Sequence, residues 1–343
     1  MAAAGIAVPV ISDRSFNLQG KTLDKFESIP GLKTSFSLHE INQQLLKVGG
    51  VIASFPDKIA KANKKKHVLG DTLSAKNDPL LVQNFILCQK KILGVQGIVF
   101  DVKVGEGSSF KTLEEARNFI SSLKKFCNQI KITPSFLLSN MDQPLGEAIG
   151  NSLEVWEAIK VFKGNGPLDV LKLALEIGSE MLLMAKRVLI KTEAKIYLKR
   201  IVKESKPLEK LKDMIKAQGG NPLVVDNCSL LPLAKVRRKV LSLKKGYIHQ
   251  IKMRQMALLC NELAGCGVES GMKMDRETGF FIRKKIGDRI KKEEALAEVY
   301  LKDISLFPMI QKKLREAFVI SEGPSDFKPF IIERIGLGHK IFA

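Results

Sequence analysis

Two hydroxyl residues near the N-terminus have the chemistry of an anion site. Ser12 directly follows the apolar run 6–11, and Thr22 comes after a polar stretch. The apolar run predicts a short buried strand, so Ser12 would lie where this strand enters a polar turn. Hydroxyl groups donate hydrogen bonds to anions, and a turn lets backbone N–H groups approach the same anion. On residue type alone, ordinary turn residues remain the alternative interpretation.

Alternating strands and helices would position such a site. The continuous apolar block 97–103 predicts a parallel strand buried on both faces, and 132–138 predicts a second strand. Between them, Thr112 is a predicted N-cap with Glu115 at the capping-box position, opening a helix that runs to about Cys127. We expect another helix over 145–162. The pattern predicts an α/β fold with a mainly parallel sheet flanked by helices.

The last third of the chain has a different pattern. Short strands are predicted at 246–251 and 295–301, a hairpin over 279–292 around Gly287-Asp288, and a closing helix at 309–318. This pattern is typical of a β-rich, hammerhead-like module. A biotinyl or lipoyl carrier has similar spacing, but the predicted turn carries Gly-Asp instead of a carrier lysine. We therefore favour a structural module.

Composition restricts the class of protein. The formal net charge of +20 would attract nucleic acid without specificity, but only 6% of residues are aromatic, which leaves few rings for base stacking. We therefore expect nucleic acid not to be the partner. The five cysteines have no paired or zinc-ligand spacing, which favours reduced thiols in a cytoplasmic protein. No apolar stretch is long enough for a membrane span.

Four segments resemble those of the thymidine and pyrimidine-nucleoside phosphorylases. The stretch 12–31, SDRSFNLQGKTLDKFESIPG, is similar to the family signature S-G-R-G-x-x-x-T-G-G-T-x-D-K-x-E-S-I-P-G. DVKVGEG at 101–107 and MDQPLG with GNSLEV within 141–155 match further family segments, and KKIGDRIKK at 284–292 fits the C-terminal region. The chain is thus identified as a member of this family over nearly its whole length.

The resemblance implies a pentosyltransferase of nucleoside salvage. In this reaction phosphate attacks C1′ of a pyrimidine nucleoside and releases the base and a pentose 1-phosphate. The implied partners are phosphate, a pyrimidine nucleoside and a second copy of the chain in a homodimer. Ser12 and Thr22 match the family's phosphate-binding hydroxyls. Between them the family prefers glycine at positions that here carry Asp13, Ser15, Asn17 and Lys21.

The family's main phosphate loop, K-H-S-T-G-G-x-G-D, would precede the signature, and the sequence contains no such segment. We therefore expect an N-terminally truncated chain with a divergent site, and we assign no catalytic residue. The predicted divisions are the start of the phosphate-binding α/β domain at 1–61, a remnant of a small helical domain at 62–93, the α/β domain at 94–235 and the C-terminal α+β module at 236–343.

The site for the pyrimidine base also departs from the family. Gly70 replaces the arginine of the family's Y-x-L-R-D segment, and glycine cannot supply a bidentate guanidinium. The segment 84–91 corresponds to S-I-M-S-K-K, which makes Asn84 and Lys90 the candidates for substrate binding. Gln89 is the candidate if no gap is introduced. Alternatively, Lys90 is part of the solvated end of a helix.

A monovalent-cation site is the last feature that the resemblance implies. Backbone groups of Leu145 and Ala148 and the carboxylate of Glu157 match the family's ligands. Carbonyl oxygens with one carboxylate suit a weakly held hard cation such as K⁺. No cofactor is otherwise required.

Three hypotheses follow from the sequence. The chain is an incomplete phosphorylase, a degenerate member with a binding or structural role, or, from its charge alone, a nucleic-acid-associated module. The changes in the signature and the base site favour loss or change of activity, and we expect no turnover by this chain alone.

Overall fold

The computed structural model describes residues 1–12, 22–54, 87, 90–263, 275–325 and 328–336. Within these residues the helices are α1 (Thr22–Phe26), α2 (Leu38–Val48), α3 (Leu113–Gln129), α4 (Asn151–Phe162), α5 (Leu168–Met184), α6 (Lys191–Lys203), α7 (Lys206–Ala217), α8 (Met253–Leu263) and α9 (Phe307–Ala317). The strands are β1 (Val8–Ser12), β2 (Gly50–Ser54), β3 (Gly97–Val104), β4 (Thr133–Asn140), β5 (Ala148–Ile149), β6 (Val236–Leu241), β7 (Gly246–Ile251), β8 (Gly279–Ile282), β9 (Arg289–Ile290), β10 (Ala295–Leu301), β11 (Phe318–Ser321) and β12 (Ile331–Ile335).

The α/β body contains two groups of strands with parallel pairing. β1 pairs with β2 in parallel, and β3 pairs with β4 in parallel. β12 adds to the free side of β4 in the antiparallel direction. The α/β class is therefore confirmed, but the sequence did not predict β12. This strand returns from beyond the C-terminal module to the α/β sheet.

Helix α3 covers the β3–β4 sheet, and its start is set by a capping box. The side chain of Thr112 accepts a hydrogen bond from the N–H of Glu115, and the Glu115 side chain accepts one from the N–H of Thr112. Its apolar face, which includes Ile120 and Leu123, packs against Phe136 in one core cluster. The predicted N-cap is confirmed.

Helices α5, α6 and α7 occupy the predominantly helical stretch 168–217 that follows. Buried Glu176 and Glu180 on α5 face cations from two other elements. Lys191 of α6 lies 3.1 Å from Glu176 and also pairs with Glu180, while Arg334 of β12 lies 3.1 Å from Glu176. These ion pairs attach β12 to the helical layer.

The C-terminal module, from β6 to β11, consists of two small antiparallel sheets around its own core. One has the order β5-β8-β10-β6 and the other β11-β7-β9. The predicted hairpin over 279–292 is wrong, because β8 pairs with β10 whereas β9 pairs with β7. The turn between them passes from one sheet to the other, and Gly287 supplies its left-handed conformation with φ +91°.

The predicted helix over 145–162 is shorter than expected. Residues 144–147 form a loop, Ala148–Ile149 is strand β5, and the helix begins only at Asn151. β5 pairs with β8 of the C-terminal module. Ala148 and Ile149 therefore form a strand instead of the predicted helix. Most of the predicted helical stretch 62–93 lies outside the described residues, and the domain divisions stay a prediction.

Candidate functional site

Ser12 lies at the carboxyl end of β1, as the sequence predicted. It is half-buried and stands in register with Ser54, the last residue of the parallel strand β2. Ligands of open α/β sheets bind beyond the carboxyl ends of parallel strands. Residues 13–21, which include the changed glycine positions, lie outside the described part of the chain. Ser12 is therefore placed at the edge where an anion site would form.

Thr22 begins the short helix α1 and is exposed. The rest of the signature forms an anchor. Glu27 accepts a hydrogen bond from Thr34 and forms an ion pair with Arg276 at 2.8 Å. Gly31 has φ +81°, and a Cβ there would lie 2.8 Å from the carbonyl oxygen of Gly219. The Glu27–Gly31 end of the signature thus fixes α1 to the body.

Of the predicted base-site residues, the structure describes Lys90 alone. Asn84, Gly70 and the alternative Gln89 lie outside the described residues. Residues 90–92 are helical, Lys90 is half-buried, and burial lowers the pKa of its ammonium. The adjacent Lys91 is exposed and donates to the carbonyl of Lys131 at 3.3 Å. Lys90 therefore differs from a fully solvated helix end.

A cluster of hydrogen-bonded polar side chains lies on β3 and β4, and the sequence analysis predicted no role for it. Lys103 forms an ion pair with Asp101 at 2.6 Å and donates to Ser139 at 3.0 Å, and Ser139 in turn donates to Asp101. Ser139 is fully buried. The signal was present in the sequence as charged residues inside the apolar block 97–103. This network places a hydrogen-bonded lysine in the carboxyl half of the parallel pair.

A polar cleft of about 260 Å³ opens near the same sheet edge, between the α/β body and the C-terminal module. Its walls include Glu106, Asp142, Gln143, His249, Ile286 and Lys328. Asp142 organises one wall, because it accepts from the N–H of Glu106 at 2.9 Å and pairs with Lys328 at 3.1 Å. The sequence did not predict this cleft, which depends on contacts between distant segments.

The predicted cation-site residues come together around the loop 144–148. Glu157 on α4 is buried, and its Oε2 accepts hydrogen bonds from the backbone N–H groups of Glu147 at 2.7 Å and Ala148 at 2.9 Å. Burial raises the pKa of Glu157 to about 7, although these two hydrogen bonds act in the opposite direction. Leu145 is half-buried in this loop, and Gly146 has φ +67°, with Glu157 Oε1 where a Cβ would stand.

The same loop already holds a cation from the protein itself. The ammonium of Lys285 donates to the carbonyl oxygens of Pro144 and Gly146 and lies 3.4 Å from Asp169 Oδ2. Since Glu157 Oε2 also has two donors, the residues present do not fit a free K⁺ well. Elsewhere among the described residues, no group of three or more His, Cys, Asp or Glu side chains could hold a metal.

Comparison with known proteins identifies the family. The chain is 33% identical to the pyrimidine-nucleoside phosphorylase of Bacillus subtilis over 300 residues, which is 88% of this chain and 69% of the relative. It is 31% identical to the pyrimidine-nucleoside phosphorylase of Geobacillus stearothermophilus over 335 residues, covering 98% of this chain and 77% of the relative. No family model matches the chain.

The chain belongs to the pyrimidine-nucleoside phosphorylase family. A further relative, from Staphylococcus epidermidis, is 30% identical over 336 residues, with 98% of this chain and 77% of the relative covered. Family membership confirms the resemblance read from the sequence segments. The anchor around Glu27 and Gly31 lies within the segment that resembles the family signature.

Two further observations concern the setting of the protein. None of the helices described here is long and apolar enough to cross a membrane. Burial raises the pKa of the Cys127 thiol to about 11, and it also raises the pKa of Cys228. Cys88 and Cys266 lie outside the described residues, and the reduced state of the thiols stays a prediction.

Proposed function

We propose that this chain is a pyrimidine-nucleoside phosphorylase homologue of nucleoside salvage that binds phosphate and a pyrimidine nucleoside. The family reaction cleaves the nucleoside with phosphate to give the base and a pentose 1-phosphate. The observation that carries the proposal is the match over 98% of the chain to the Geobacillus stearothermophilus pyrimidine-nucleoside phosphorylase. The position of Ser12 at the carboxyl end of a parallel strand supports it.

In this proposal the hydroxyls of Ser12 and Thr22 donate to phosphate, and Lys90 with Asn84 contacts the nucleoside base. The partial burial of Lys90 supports its role, because a half-buried ammonium has fewer competing water molecules than an exposed one. We further propose that the protein is cytoplasmic and forms a homodimer, for which the family resemblance is the support. Light scattering of the purified chain tests whether it forms a homodimer.

The 343-residue chain by itself is proposed to bind without turning over. Gly70 stands where the family has a base-binding arginine, and side chains replace several glycines of the phosphate signature. Loss of a bidentate guanidinium removes charge stabilisation that another residue type does not restore. The alternative in the same family is a degenerate member with a binding or structural role, and the absence of catalysis is common to both.

Phosphate titration by calorimetry tests the proposed anion site. We expect saturable binding by the wild-type chain, and roughly tenfold weaker binding by Ser12→Ala and by Thr22→Ala, because each loses one hydrogen bond to a charged ligand. Ser229→Ala is the matched control, since Ser229 is exposed and bonds to Asn227. Equal phosphate affinity in Ser12→Ala and Ser229→Ala would contradict the assignment.

Nucleoside titration tests the base site in the same way. Lys90→Met is expected to weaken the binding of thymidine or uridine, while Lys91→Met, which removes the neighbouring exposed charge, leaves it unchanged. Nucleic acid is not a proposed partner. Binding to DNA or RNA that discriminates among sequences at physiological salt would contradict that part of the proposal.

A further inference from the structure

The turn between β8 and β9 brings Lys285 onto the loop 144–148 of the α/β body. Its ammonium donates to two carbonyl oxygens, those of Pro144 and Gly146, and Asp169 Oδ2 lies 3.4 Å away. The Lys285 side chain keeps only 23% of its surface exposed. Two carbonyl oxygens and a carboxylate are the donor set that a hard monovalent cation prefers.

Two residues close to Lys285 in the sequence also bind residues in or next to the loop 144–148. The N–H of Ile286 donates to the side-chain oxygen of Gln143 at 2.8 Å, and Arg283 pairs with Glu147 at 3.0 Å. The ammonium is therefore held in place from both sides of its own residue. A tethered cation with so little freedom loses less entropy on binding its ligands than a free ion would.

We propose that Lys285 is a built-in cation for the loop 144–148. Its ammonium uses the carbonyl oxygens of Pro144 and Gly146 beside the predicted ligands Leu145, Ala148 and Glu157, and no free monovalent cation binds there. Lys285 positions this loop and joins the C-terminal module to the body. The proposal does not depend on catalysis by the chain, because it concerns the folded state alone.

Electrostatics and space favour the tethered cation over a free one. A K⁺ ion in this loop would lie close to the Lys285 ammonium, and two like charges at short range in a partly buried site repel strongly. Glu157 Oε2 is already the acceptor of two backbone N–H groups, and its Oε1 lies against Gly146. Burial lowers the pKa of the Lys285 ammonium, and the nearby carboxylates, first of all Asp169 with its Oδ2 at 3.4 Å, act in the opposite direction.

The wild-type chain provides the first test. Thermal unfolding is measured in sodium, potassium, ammonium and choline chloride at equal ionic strength, and potassium binding is measured by calorimetry. We expect the same melting temperature in all four salts and no saturable potassium binding. A melting temperature raised specifically by potassium, or a potassium isotherm that saturates, would overturn the proposal. This test needs no variant.

A pair of neighbouring lysines provides the second test. Lys285→Ala removes the ammonium and opens its place, so we expect a melting temperature lower by roughly 5 °C that potassium or ammonium partly restores and choline does not. Lys284→Ala is the matched control, because Lys284 makes the same charge change from an ion pair with Glu294 at 2.6 Å. It should show no dependence on the cation.

A conservative variant completes the series. Lys285→Arg keeps the positive charge and the donors, and is expected to retain the indifference to potassium that the wild type has. The proposal fails if Lys285→Ala shows no more dependence on the cation than Lys284→Ala does, or if neither potassium nor ammonium restores any of its stability. Were Lys285→Ala unable to fold, the wild-type titration and Lys285→Arg would still decide the question.

Discussion

The side-chain amide of Gln218 pairs with the backbone of Ile52 as a neighbouring strand would. Its Oε1 accepts from the N–H of Ile52 at 3.0 Å, and its Nε2 donates to the carbonyl of Ile52 at 2.8 Å. Gln218 follows the end of α7 and is buried. One side chain thus satisfies the edge of β2 and attaches the helical layer to the strands that carry Ser12.

Replacement of Gln218 by leucine should therefore be costly. Gln218→Leu leaves the buried N–H and C=O of Ile52 without partners, and we expect a loss of about 3 kcal/mol in the free energy of unfolding. Urea denaturation measures it. Gln43→Leu is the control, because Gln43 is exposed on α2 and bonds to His39. Similar losses in the two variants would show that the strand-like pairing contributes little.

Glu157 should stabilise the loop 144–148 through hydrogen bonds more than through charge. Glu157→Leu removes the acceptor for the N–H groups of Glu147 and Ala148, for an expected loss of about 2 kcal/mol. Glu157→Gln keeps a carbonyl oxygen as acceptor and should lose less. The control Glu154→Gln breaks a half-buried pair with Lys25 and should cost about 1 kcal/mol or less. An equal loss in Glu157→Gln and Glu157→Leu would contradict this ranking.

Acid should weaken the attachment of β12 through Glu176. Burial alone would raise the pKa of Glu176, but hydrogen bonds from Lys195, Arg334 and Lys191 outweigh it and lower the pKa to about 2. Because the pKa is lower in the folded state than its ordinary 4.5, the contribution of Glu176 is complete above that value. It is then lost as the pH falls towards the folded-state pKa.

Urea midpoints measured between about pH 6 and pH 3 test this linkage. The wild type should lose stability on acidification faster than Glu176→Gln, and Glu176→Gln should be less stable by on the order of 3 kcal/mol near neutral pH, because three cations lose their buried partner. Glu209→Gln, at an exposed position of α7, serves as control. If the urea midpoints of the wild type and Glu176→Gln fell in parallel with pH, Glu176 would not be responsible for the loss of stability in acid.

Local patterns in the sequence predicted local structure well. The capping box of Thr112 and Glu115, the strand at 97–104 and the position of Ser12 at a strand end each depend on residues close in the chain. Periodicity and caps act over a few residues, so one sequence suffices to read them. The alternation of strands and helices predicted the α/β class.

What the sequence did not predict depends on partners far along the chain. The predicted helix does not form over 145–150, because Gly146 and Gly150 have positive φ and β5 pairs with β8 instead. The two strands of the predicted hairpin around Gly287 belong to different sheets, because β8 pairs with β10 and β9 pairs with β7. Lys285 looked like one charge among many, and its role depends on carbonyl groups of a loop more than a hundred positions earlier. Tertiary pairing overrides local preference at each of these places.

We propose that this chain, which belongs to the pyrimidine-nucleoside phosphorylase family, binds phosphate and a nucleoside without turnover of its own. The most direct measurement incubates the purified chain with phosphate and thymidine or uridine, and quantifies pentose 1-phosphate and free base. The Bacillus subtilis pyrimidine-nucleoside phosphorylase, run in parallel, sets the sensitivity. We predict no product above the protein-free control, and pentose 1-phosphate formed in proportion to the amount of chain would contradict the claim.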